Sequence, residues 1–366
     1  MSDFIPSRRQ FIHTLGAASL GVLATPAFPH ILTRRKKDKL GVALVGLGYY
    51  STDILAPALQ LTEQCELKGI VTGSPAKVPI WQEKYGIADK NVYDYANMHK
   101  VANNSDIDVI YVVLPPSMHL EYTALAAKAG KHVWCEKPMA LTAGECQAMI
   151  DVCNANKVKL SIGYRMHHEP NTQTLMQLAK DRPFGKIQKI RAEAAYYDNR
   201  SHHWKQHKAM GGGAMYDMGV YPLNAVRYTA GAEPLAVLSA RHETNRPDVY
   251  SEVDETTYFT LEFPGGTIAD CTTSFGMRMN QLHVSCERGW YEMTPFSAYN
   301  GVKGEACDGR KFDKTLPNQQ ARQMDDDALA IKNKQPVMVP GEEGLRDIRI
   351  VEAIYQSAAI KARVAL

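Results

Sequence analysis

At 366 residues the chain is longer than a typical domain of about 100–200 residues, so we expect two domains with sizeable cores. Hydrophobic residues make up 45% and charged residues 22%, proportions that exclude a disordered chain and indicate an ordinary folded protein. The formal net charge of +3 is too small to indicate a nucleic-acid-binding or membrane-surface protein.

The first 27 residues have the layout of a twin-arginine export signal. The paired arginines Arg8 and Arg9 precede Phe11, a moderately apolar stretch runs to Leu23, and small residues end at Ala27. The apolar stretch is shorter than the ~20 residues of a membrane span, so we expect cleavage and no stable membrane anchor. The alternative is a chance Arg-Arg pair before an amphipathic helix. The pattern predicts a signal at 1–27, read by the twin-arginine machinery, a short linker arm at 28–39, and a periplasmic location.

Strand and helix patterns alternate between residues 40 and 165. Strands are predicted at 41–45, 67–71, 107–114, 132–135 and 159–163, and helices at 52–62, 75–85, 117–129 and 142–156. Such alternation predicts right-handed βαβ units and an α/β Rossmann domain at 40–165. In a doubly wound parallel sheet of this kind, ligands lie beyond the carboxyl ends of the strands.

The first predicted strand ends at a G-x-G turn formed by Gly46 and Gly48. Glycines let the backbone approach a pyrophosphate, and the following helix N-terminus favours negative charge. The third small position of the motif is Ser51, where Gly or Ala is usual. These residues alone leave open whether the turn binds a dinucleotide or only joins two core elements.

Residues 166–366 have a different pattern, in which strands follow one another without intervening helices. Strands are predicted at 187–195, 237–242, 256–263, 267–274, 281–286 and 289–293, and helices at 171–180, 211–228, 319–332 and 344–360. Runs of strands indicate a C-terminal α+β domain with a large, mainly antiparallel sheet, on which the C-terminal helix can pack back towards the Rossmann domain. A sheet with one free face commonly finds a partner, so we expect a homo-oligomer, a dimer or tetramer, formed through this sheet.

The cysteines and histidines indicate no metal site. The seven cysteines form no C-x-x-C pair, and we interpret them mainly as buried small hydrophobic residues. The two histidine pairs, at 167–168 and 202–203, are adjacent in sequence and lack the i, i+4 spacing of helical metal ligands.

The end of the second predicted strand favours NADP over NAD. NAD-selective enzymes usually place Asp or Glu there to hold the ribose 2′-hydroxyl, whereas this chain has the neutral residues Thr72 and Ser74. Lys77 lies one turn into the next helix and can attract a 2′-phosphate. An ordinary surface lysine is the alternative interpretation.

Three side chains are candidates for proton-transfer chemistry. Lys137 follows a predicted strand end, where an ammonium group can hydrogen-bond a substrate hydroxyl as hydride leaves. Asp217 and Tyr221 are spaced i, i+4 on one face of a predicted helix, and a phenol beside an ammonium group can accept a proton. Taken separately, these residues fit an exposed Glu-Lys pair, a helix N-terminal acid and a core tyrosine better than a catalytic set.

Seven motifs spread along the chain from Leu40 together resemble the Gfo/Idh/MocA oxidoreductase family. They are Gly46-Leu47-Gly48, Cys135-Glu136-Lys137-Pro138-Met139, Gly163-Tyr164-Arg165, Gly211-Gly212-Gly213, Asp217-Met218-Gly219-Val220-Tyr221, Arg227-Tyr228 and Pro340-Gly341-Glu342-Glu343-Gly344. Within the family, the chain is most similar to the periplasmic glucose-fructose oxidoreductase branch. Many members carry His at the position of Tyr221, and Tyr is a mark of that branch.

The resemblance implies roles for particular residues. Lys137, Asp217 and Tyr221 would be catalytic, and Trp204 would lie over the cofactor or substrate. The residues implied to line the nucleotide are Gly46, Gly48, Tyr50, Thr72, Ser74, Lys77, Leu114, His119, Glu136, Lys137 and Arg165. Lys205 stands where the branch has Arg, and the arm before Leu40 is short, so that cofactor contact and the branch's arm-mediated oligomer do not transfer directly.

The activity implied by the resemblance is a periplasmic sugar oxidoreductase with tightly bound NADP, with NAD as the other possible cofactor. Hydride would pass from C1 of an aldose to the nicotinamide, giving a lactone, and then to a second carbonyl sugar in a ping-pong cycle. One alternative is a redox-assisted NAD(P)-dependent glycosidase, similar in layout but without net oxidation. The other is a non-catalytic sugar-binding protein.

Overall fold

The computed structural model describes residues 38–366. The predicted export signal at 1–27 and residues 28–37 of the predicted linker arm therefore lie outside the described residues. Within the described part, no helix combines the length and apolar character needed to cross a bilayer. All seven cysteines are free thiols, and all except the exposed Cys307 are buried.

The first half of the described chain forms a six-stranded sheet whose neighbouring strands are all parallel. Its strands are β1 (Leu40–Val45), β2 (Cys65–Val71), β3 (Val92–Tyr93), β4 (Val109–Val112), β5 (His132–Cys135) and β6 (Leu160–Ile162). The spatial order is β3-β2-β1-β4-β5-β6, the order of a doubly wound dinucleotide-binding fold. The strand order reverses between β1 and β4, and this switch point is where such folds bind ligands.

Helices cover this sheet, which explains why its central strands are apolar throughout. They are α1 (Ala56–Leu59), α2 (Val78–Tyr85), α3 (His119–Lys128) and α4 (Ala143–Ala155). Every residue of β1 and β4 is buried, as expected for parallel strands covered on both faces. The start of α4 is fixed by a capping box between Thr142 and Glu145.

The helix predicted at 52–62 is shorter and less regular than expected. A π-helical turn, Tyr50–Leu55, leads into α1, which has only four residues. Pro57 has no N–H, so it cannot make the helical hydrogen bond to the carbonyl four residues earlier. Just before it, the N–H of Ala56 donates to the carbonyl of Ser51, five residues earlier, which is the π-helical spacing. The first turn of the helix predicted at 75–85 is likewise a 3₁₀ turn.

The second half forms a separate nine-stranded sheet. Its strands are β7 (Ile187–Ala195), β8 (Ala236–Glu243), β9 (Thr256–Glu262), β10 (Ile268–Ser274), β11 (Met279–Cys286), β12 (Gly289–Met293), β13 (Gly304–Ala306), β14 (Lys311–Phe312) and β15 (Val364–Ala365). Neighbouring strands are antiparallel, with the exception of the parallel pair β7 and β10. The predicted fold class, a parallel Rossmann sheet plus a mainly antiparallel sheet, is confirmed.

The second half of the chain has four helices: α5 (Pro170–Asp181), α6 (Val220–Ala230), α7 (Gln319–Lys332) and α8 (Gly341–Ile360). Of these, α6 packs against the second sheet, whereas α7 packs against α1 and β2 of the first. The last of these, α8, packs against β8 of the second sheet and against α4 and β6 of the first. It therefore lies against both halves and holds them in a fixed relationship.

The helix predicted at 211–228 starts later than expected. Gly211 and Gly213 have φ values of +83° and +107°, which lie outside the helical region, so the glycine run is a loop. A π-helical turn, Met215–Gly219, follows and continues into α6. Asp217 therefore sits in the irregular turn, whereas Tyr221 belongs to the regular helix.

Candidate active site

A cavity of about 640 Å³ opens at the carboxyl ends of β1, β2, β4 and β5. The segment from Arg200 to Tyr221 and the loop at Tyr299 form its other walls. Its lining residues are Gly46, Leu47, Gly48, Tyr49, Tyr50, Thr72, Gly73, Ser74, Lys77, Tyr95, Val113, Leu114, Pro115, Pro116, Glu136, Lys137, Pro138, Arg200, His203, Trp204, Lys205, Asp217, Tyr221 and Tyr299. The cavity thus lies at the switch point of the first sheet.

The glycine turn forms one end of this cavity. Gly46 has φ +88°, and a Cβ there would overlap the carbonyl oxygen of Val113, so a larger residue does not fit. The hydroxyl of Ser51 donates to the carbonyl of Gly46 at 2.5 Å, and the N–H of Thr52 donates to Gly48 at 3.0 Å. Ser51, which departs from the usual third glycine, thus closes the turn by a side-chain hydrogen bond.

The neighbouring strand end carries no carboxylate within the cavity. Thr72 and Ser74 both line it, and the N–H of Ser74 donates to the Thr72 hydroxyl at 3.1 Å. The ammonium group of Lys77 donates to the carbonyl of Leu47 at 2.5 Å, which holds its positive charge beside the glycine turn. The residues present therefore fit a phosphorylated dinucleotide at this end of the cavity.

Lys137 stands at the centre of the cleft. Its Nζ donates to the backbone carbonyl of Asp217 at 2.7 Å and lies 3.8 Å from Oδ1 of the same residue. The ammonium group also lies 4.7 Å from the ring centroid of Tyr221. Burial alone would lower the pKa of Lys137, but Tyr221, Asp217 and Glu136 outweigh it and raise that pKa. The side chain is therefore a charged hydrogen-bond donor at neutral pH.

Glu136, the preceding residue, faces the protein interior. It is buried, and Oε1 accepts a hydrogen bond from the Tyr111 hydroxyl at 2.7 Å. Burial raises the pKa of Glu136, although Tyr111 and Lys137 act in the opposite direction. A Cβ at Gly163 would lie 2.7 Å from the same oxygen, which explains the glycine at the end of β6. The interpretation of Glu136 and Lys137 as an exposed surface pair is wrong.

Asp217 accepts hydrogen bonds from two side chains, Lys205 and Tyr196, that were not among the predicted site residues. Its Oδ2 lies 2.6 Å from Nζ of Lys205 and 3.0 Å from the Tyr196 hydroxyl. Burial would raise the pKa of Asp217, but Lys205 and Lys137 outweigh burial and hold it at about 2. The carboxylate is therefore ionised throughout the physiological pH range and lies between two ammonium groups.

The predicted catalytic side chains thus share one cavity with the glycine turn. A hydroxyl group placed between Lys137 and Tyr221 would meet one charged donor and one phenol able to accept its proton. Within residues 38–366 no cluster of three or more His, Cys, Asp or Glu side chains could hold a metal ion.

Comparison with known proteins identifies the family. Residues 40–164 match the model of the Gfo/Idh/MocA oxidoreductase family, NAD-binding Rossmann fold, and residues 172–292 match the Gfo/Idh/MocA C-terminal domain. The solved structure of aldose-aldose oxidoreductase from Caulobacter crescentus, complexed with glycerol, is 36% identical, with a TM-score of 0.86. The match covers 90% of this chain and 100% of that one. The chain belongs to the Gfo/Idh/MocA oxidoreductase family.

Two curated relatives extend the comparison. D-xylose 1-dehydrogenase [NADP(+)] of Haloarcula marismortui is 25% identical over 339 residues, covering 88% of this chain and 92% of that protein. D-glucoside 3-dehydrogenase of Escherichia coli K12 is 26% identical over 357 residues, covering 89% and 97%. The two matches therefore cover nearly the whole of both relatives.

Two residues predicted to line the nucleotide lie behind the cavity wall. His119 is buried, with ring nitrogens 2.8 Å from the Leu114 carbonyl and 3.1 Å from those of Pro138 and Met139. Burial lowers its pKa, so the ring is neutral at pH 7. It joins the loops that follow β4 and β5, and so positions Leu114 and Pro138, which do line the cavity.

Arg165 is the second such residue, and it lies between the two stretches that match Gfo/Idh/MocA models. Its guanidinium group donates to the carbonyls of Ser297 and Ala298 at 2.5 and 3.0 Å. It also lies 4.7 Å from the ring centroid of Tyr299 and 5.4 Å from that of Tyr221. Arg165 therefore fixes the loop that carries Tyr299 over the cleft.

The site includes residues that were absent from the predicted set. Tyr196, Arg200 and Lys205 form a chain of hydrogen bonds to Asp217, in which Arg200 Nη2 and Lys205 Nζ each donate to the Tyr196 hydroxyl at 3.1 Å. Arg200 is itself fixed by hydrogen bonds to both carboxylate oxygens of Asp198. The stretch has no hydrophobic periodicity, so the family resemblance at Trp204 and Lys205 is the signal in the sequence that this segment reaches the site.

Proposed function

We propose that this Gfo/Idh/MocA protein is an NADP-dependent sugar oxidoreductase that moves hydride between C1 of an aldose and a bound nicotinamide. The observation that carries the proposal is the position of Lys137 beside both Asp217 and Tyr221, in the cavity that begins at the glycine turn. The names of the relatives support the substrate class, because they include an aldose-aldose oxidoreductase and a D-xylose 1-dehydrogenase.

A nicotinamide nucleotide held by Gly46, Gly48 and Lys77 would supply the hydride acceptor. The protein's own contribution is to bind the C1 hydroxyl and remove its proton as the C1–H bond breaks, which leaves the C=O of a lactone. Lys137 donates a hydrogen bond to the hydroxyl oxygen and stabilises the negative charge that develops there. Tyr221, as its phenolate, accepts the proton and becomes the neutral phenol, and Asp217 holds the Lys137 ammonium group in place.

The preference for NADP rests on three side chains. Thr72 and Ser74 leave room for a 2′-phosphate without repelling it, and Lys77 offers the nearby positive charge. The two carboxylates that line the cavity, Glu136 and Asp217, lie beside Lys137 and not beside Thr72 and Ser74, so they would not repel a 2′-phosphate. The preference is measured as the affinity for NADP relative to the affinity for NAD.

A nucleotide retained in this cavity between half-reactions would allow a second carbonyl sugar to take the hydride back in a ping-pong cycle. The cavity volume of about 640 Å³ is within the common range of small-molecule sites, roughly 300–1,000 Å³, and its outer walls include Trp204 and Tyr299. These rings would cover a sugar bound next to the nicotinamide. Exchange of one sugar for another would then take place without nucleotide release.

The decisive experiment combines mass spectrometry with isotope transfer. Denaturing the purified protein should release NADP or NADPH in near-stoichiometric amount. Incubation with D-glucose deuterated at C1 and an unlabelled aldose should then give a lactone and a deuterated alditol, without added nucleotide. Release of no nucleotide would contradict the proposal. Cleavage of an aryl glycoside without lactone formation would instead identify a redox-assisted glycosidase.

We also propose export and assembly. The Arg8-Arg9 signature supports twin-arginine transport to the periplasm, which predicts that replacing both arginines by lysine leaves the protein in the cytoplasm. The outer face of the second sheet, with Arg191 and Asp270 on the paired strands β7 and β10 and Trp290 on β12, two strands from β7, supports a homo-oligomer formed through that face. Arg191→Glu should dissociate it in analytical ultracentrifugation.

A further inference from the structure

A second cavity lies on the other side of the turn that carries Asp217. Its volume is about 700 Å³, similar to that of the active site, and the two cavities share no lining residue. Tyr216 lines the second cavity, whereas the next residue, Asp217, lines the first. The Met215–Gly219 turn therefore forms a thin partition between two spaces of ligand size.

Aromatic rings form the inner wall of this second cavity. The rings of Tyr216 and Tyr355 are stacked, with centroids 5.8 Å apart and an interplanar angle of 24°, and His242 lies 5.0 Å from Tyr355. Both phenol groups are fixed by hydrogen bonds: Tyr216 donates to the Leu141 carbonyl at 2.6 Å and Tyr355 to Asp254 at 2.7 Å. The rings are thus a rigid apolar surface whose hydroxyls are already satisfied.

The rim of the cavity is polar and carries both signs of charge. Lys208 and the hydroxyls of Thr244 and Ser251 can donate hydrogen bonds, and the carboxylates of Glu252 and Glu352 can accept them. All five of these rim residues are exposed. A cation would meet Lys208 and an anion would meet the two carboxylates, whereas a neutral ligand with several hydroxyls can use both kinds of group.

We infer that the second cavity is a non-catalytic binding site for a neutral sugar or polyol, whose apolar face lies on Tyr216 and Tyr355 while its hydroxyls bond the rim. The ring faces provide contact area, and the alternating donors and acceptors provide orientation. No reaction takes place in it, because the glycine turn and Lys137 belong to the other cavity. The inference does not depend on the proposed oxidoreductase activity.

Binding in the second cavity would affect the position of Asp217, because the same turn borders both cavities. The buried carboxylate of Asp254 accepts hydrogen bonds from the Tyr355 hydroxyl at 2.7 Å and from the N–H of Met215 at 2.8 Å. It therefore ties the aromatic wall to the residue that begins the turn. A ligand that stabilises the ring stack also stabilises the backbone that positions Asp217, so the second site would modulate the first.

The test is binding of methyl β-D-glucopyranoside to the nucleotide-loaded full chain, followed by calorimetry and ligand-observed NMR. We expect two binding events. Thr244→Trp, which places a bulky ring in the cavity mouth, and Glu352→Gln should each weaken one event at least tenfold. Glu342→Gln, an exposed change on the same helix, is the matched control and should leave both events unchanged. Lys137→Met should affect only the other event.

Three results would overturn the inference. One is the absence of any binding to the native protein, and another is binding in which Thr244→Trp weakens no event. The third is saturation of the cavity by tetramethylammonium or sulfate in place of the glucoside, which would identify an ion site. Thr244 and Glu352 are exposed and lie outside the catalytic cavity. Unchanged melting temperature and unchanged basal sugar oxidation will show that these variants fold.

Discussion

The ammonium group of Lys205 lies 2.6 Å from Oδ2 of Asp217, while Oδ1 of the same carboxylate lies 3.8 Å from Nζ of Lys137. One carboxylate thus separates two lysines and contacts Lys205 more closely. Lys137 donates instead to the Asp217 backbone carbonyl, so its remaining protons are available to a substrate. Lys205 is therefore a positioning residue in the proposed reaction.

Replacing Lys205 by methionine should make catalysis sensitive to acid. Without the closer cation, the pKa of Asp217 rises from about 2, and the carboxylate becomes protonated within the assayable range. We expect kcat/KM to fall about 10–100-fold near pH 5 and much less near pH 8. Lys205→Arg should restore most of the acid-side activity, and the exposed Lys128→Met serves as control. A uniform loss at all pH values would contradict this role.

Replacing Tyr221 by phenylalanine removes the proton acceptor but keeps the ring that lies 4.7 Å from Lys137. We expect kcat to fall about 10²–10⁴-fold, the usual contribution of a general acid–base group, with little change in nucleotide content. Tyr221→His should retain more activity than Tyr221→Phe, because imidazole can also accept a proton. Stopped-flow measurement of nicotinamide reduction will separate this step from sugar binding. Equal rates for Phe and Tyr would exclude the assigned role.

Cofactor preference should respond to the end of β2. Thr72→Asp places a carboxylate where a 2′-phosphate would lie, and we expect the NADP-to-NAD affinity ratio to fall at least tenfold. Lys77→Ala should weaken NADP more than NAD, because only NADP carries the extra negative charge. Lys84→Ala, further along α2 and exposed, should have no effect. The ratio of the two nucleotides, measured by mass spectrometry after competition, reports the outcome.

Arg227 is expected to be the most sensitive stability site on α6. It is buried and pairs with Glu343 at 2.6 Å, Asp347 at 2.5 Å and Glu233 at 2.7 Å. Arg227→Met would leave the buried carboxylate of Asp347 without a counter-charge, which typically costs about 3–5 kcal/mol, whereas Glu343 and Glu233 would keep Arg346. Urea unfolding will measure the loss, with the exposed Arg349→Met as control. A change below about 1 kcal/mol would show that the carboxylates find other partners.

The same ion pairs predict how stability depends on pH. Burial would raise the pKa of Glu343, but Arg227 outweighs burial and lowers it to about 2, below its ordinary value of 4.5. A depressed carboxylate pKa stabilises the folded state above the unfolded value, and that contribution is lost as pH falls from about 4.5 towards 2. In Arg227→Met this acid-side dependence should weaken without disappearing, because Arg346 also pairs with Glu343, and pH-dependent unfolding of both proteins will show the difference.

The sequence predicted those parts of the molecule that have strong local signals. The alternation of strands and helices before Gly163 identified the parallel sheet, and the motifs around Lys137 and Asp217 identified the centre of the cleft. The alternation repeats at a fixed spacing and is recognised from periodicity alone, whereas the motifs around Lys137 and Asp217 are recognised by their resemblance to the family. The direct contact between Lys137 and the Asp217 backbone could not be predicted, because it joins positions 80 residues apart.

Other parts depend on tertiary contacts that leave no local pattern. Strands β3, β14 and β15 have two residues each and exist only because a neighbouring strand pairs with them. Lys205 was noted only as a departure from the related branch, yet the fold places it on Asp217. His119 was expected at the nucleotide and instead joins two backbone segments behind the wall.

Arg165 has a consequence for how molecules enter the cleft. Its hydrogen bonds to Ser297 and Ala298, together with its contact to the Tyr299 ring, brace the loop on that side from below. A braced loop holds the Tyr299 ring at a fixed position on one side of the cleft. On another wall, Arg200 and Lys205 are held by hydrogen bonds to Asp198 and Asp217, so we expect the mouth of the cleft to keep one width as sugars arrive and depart.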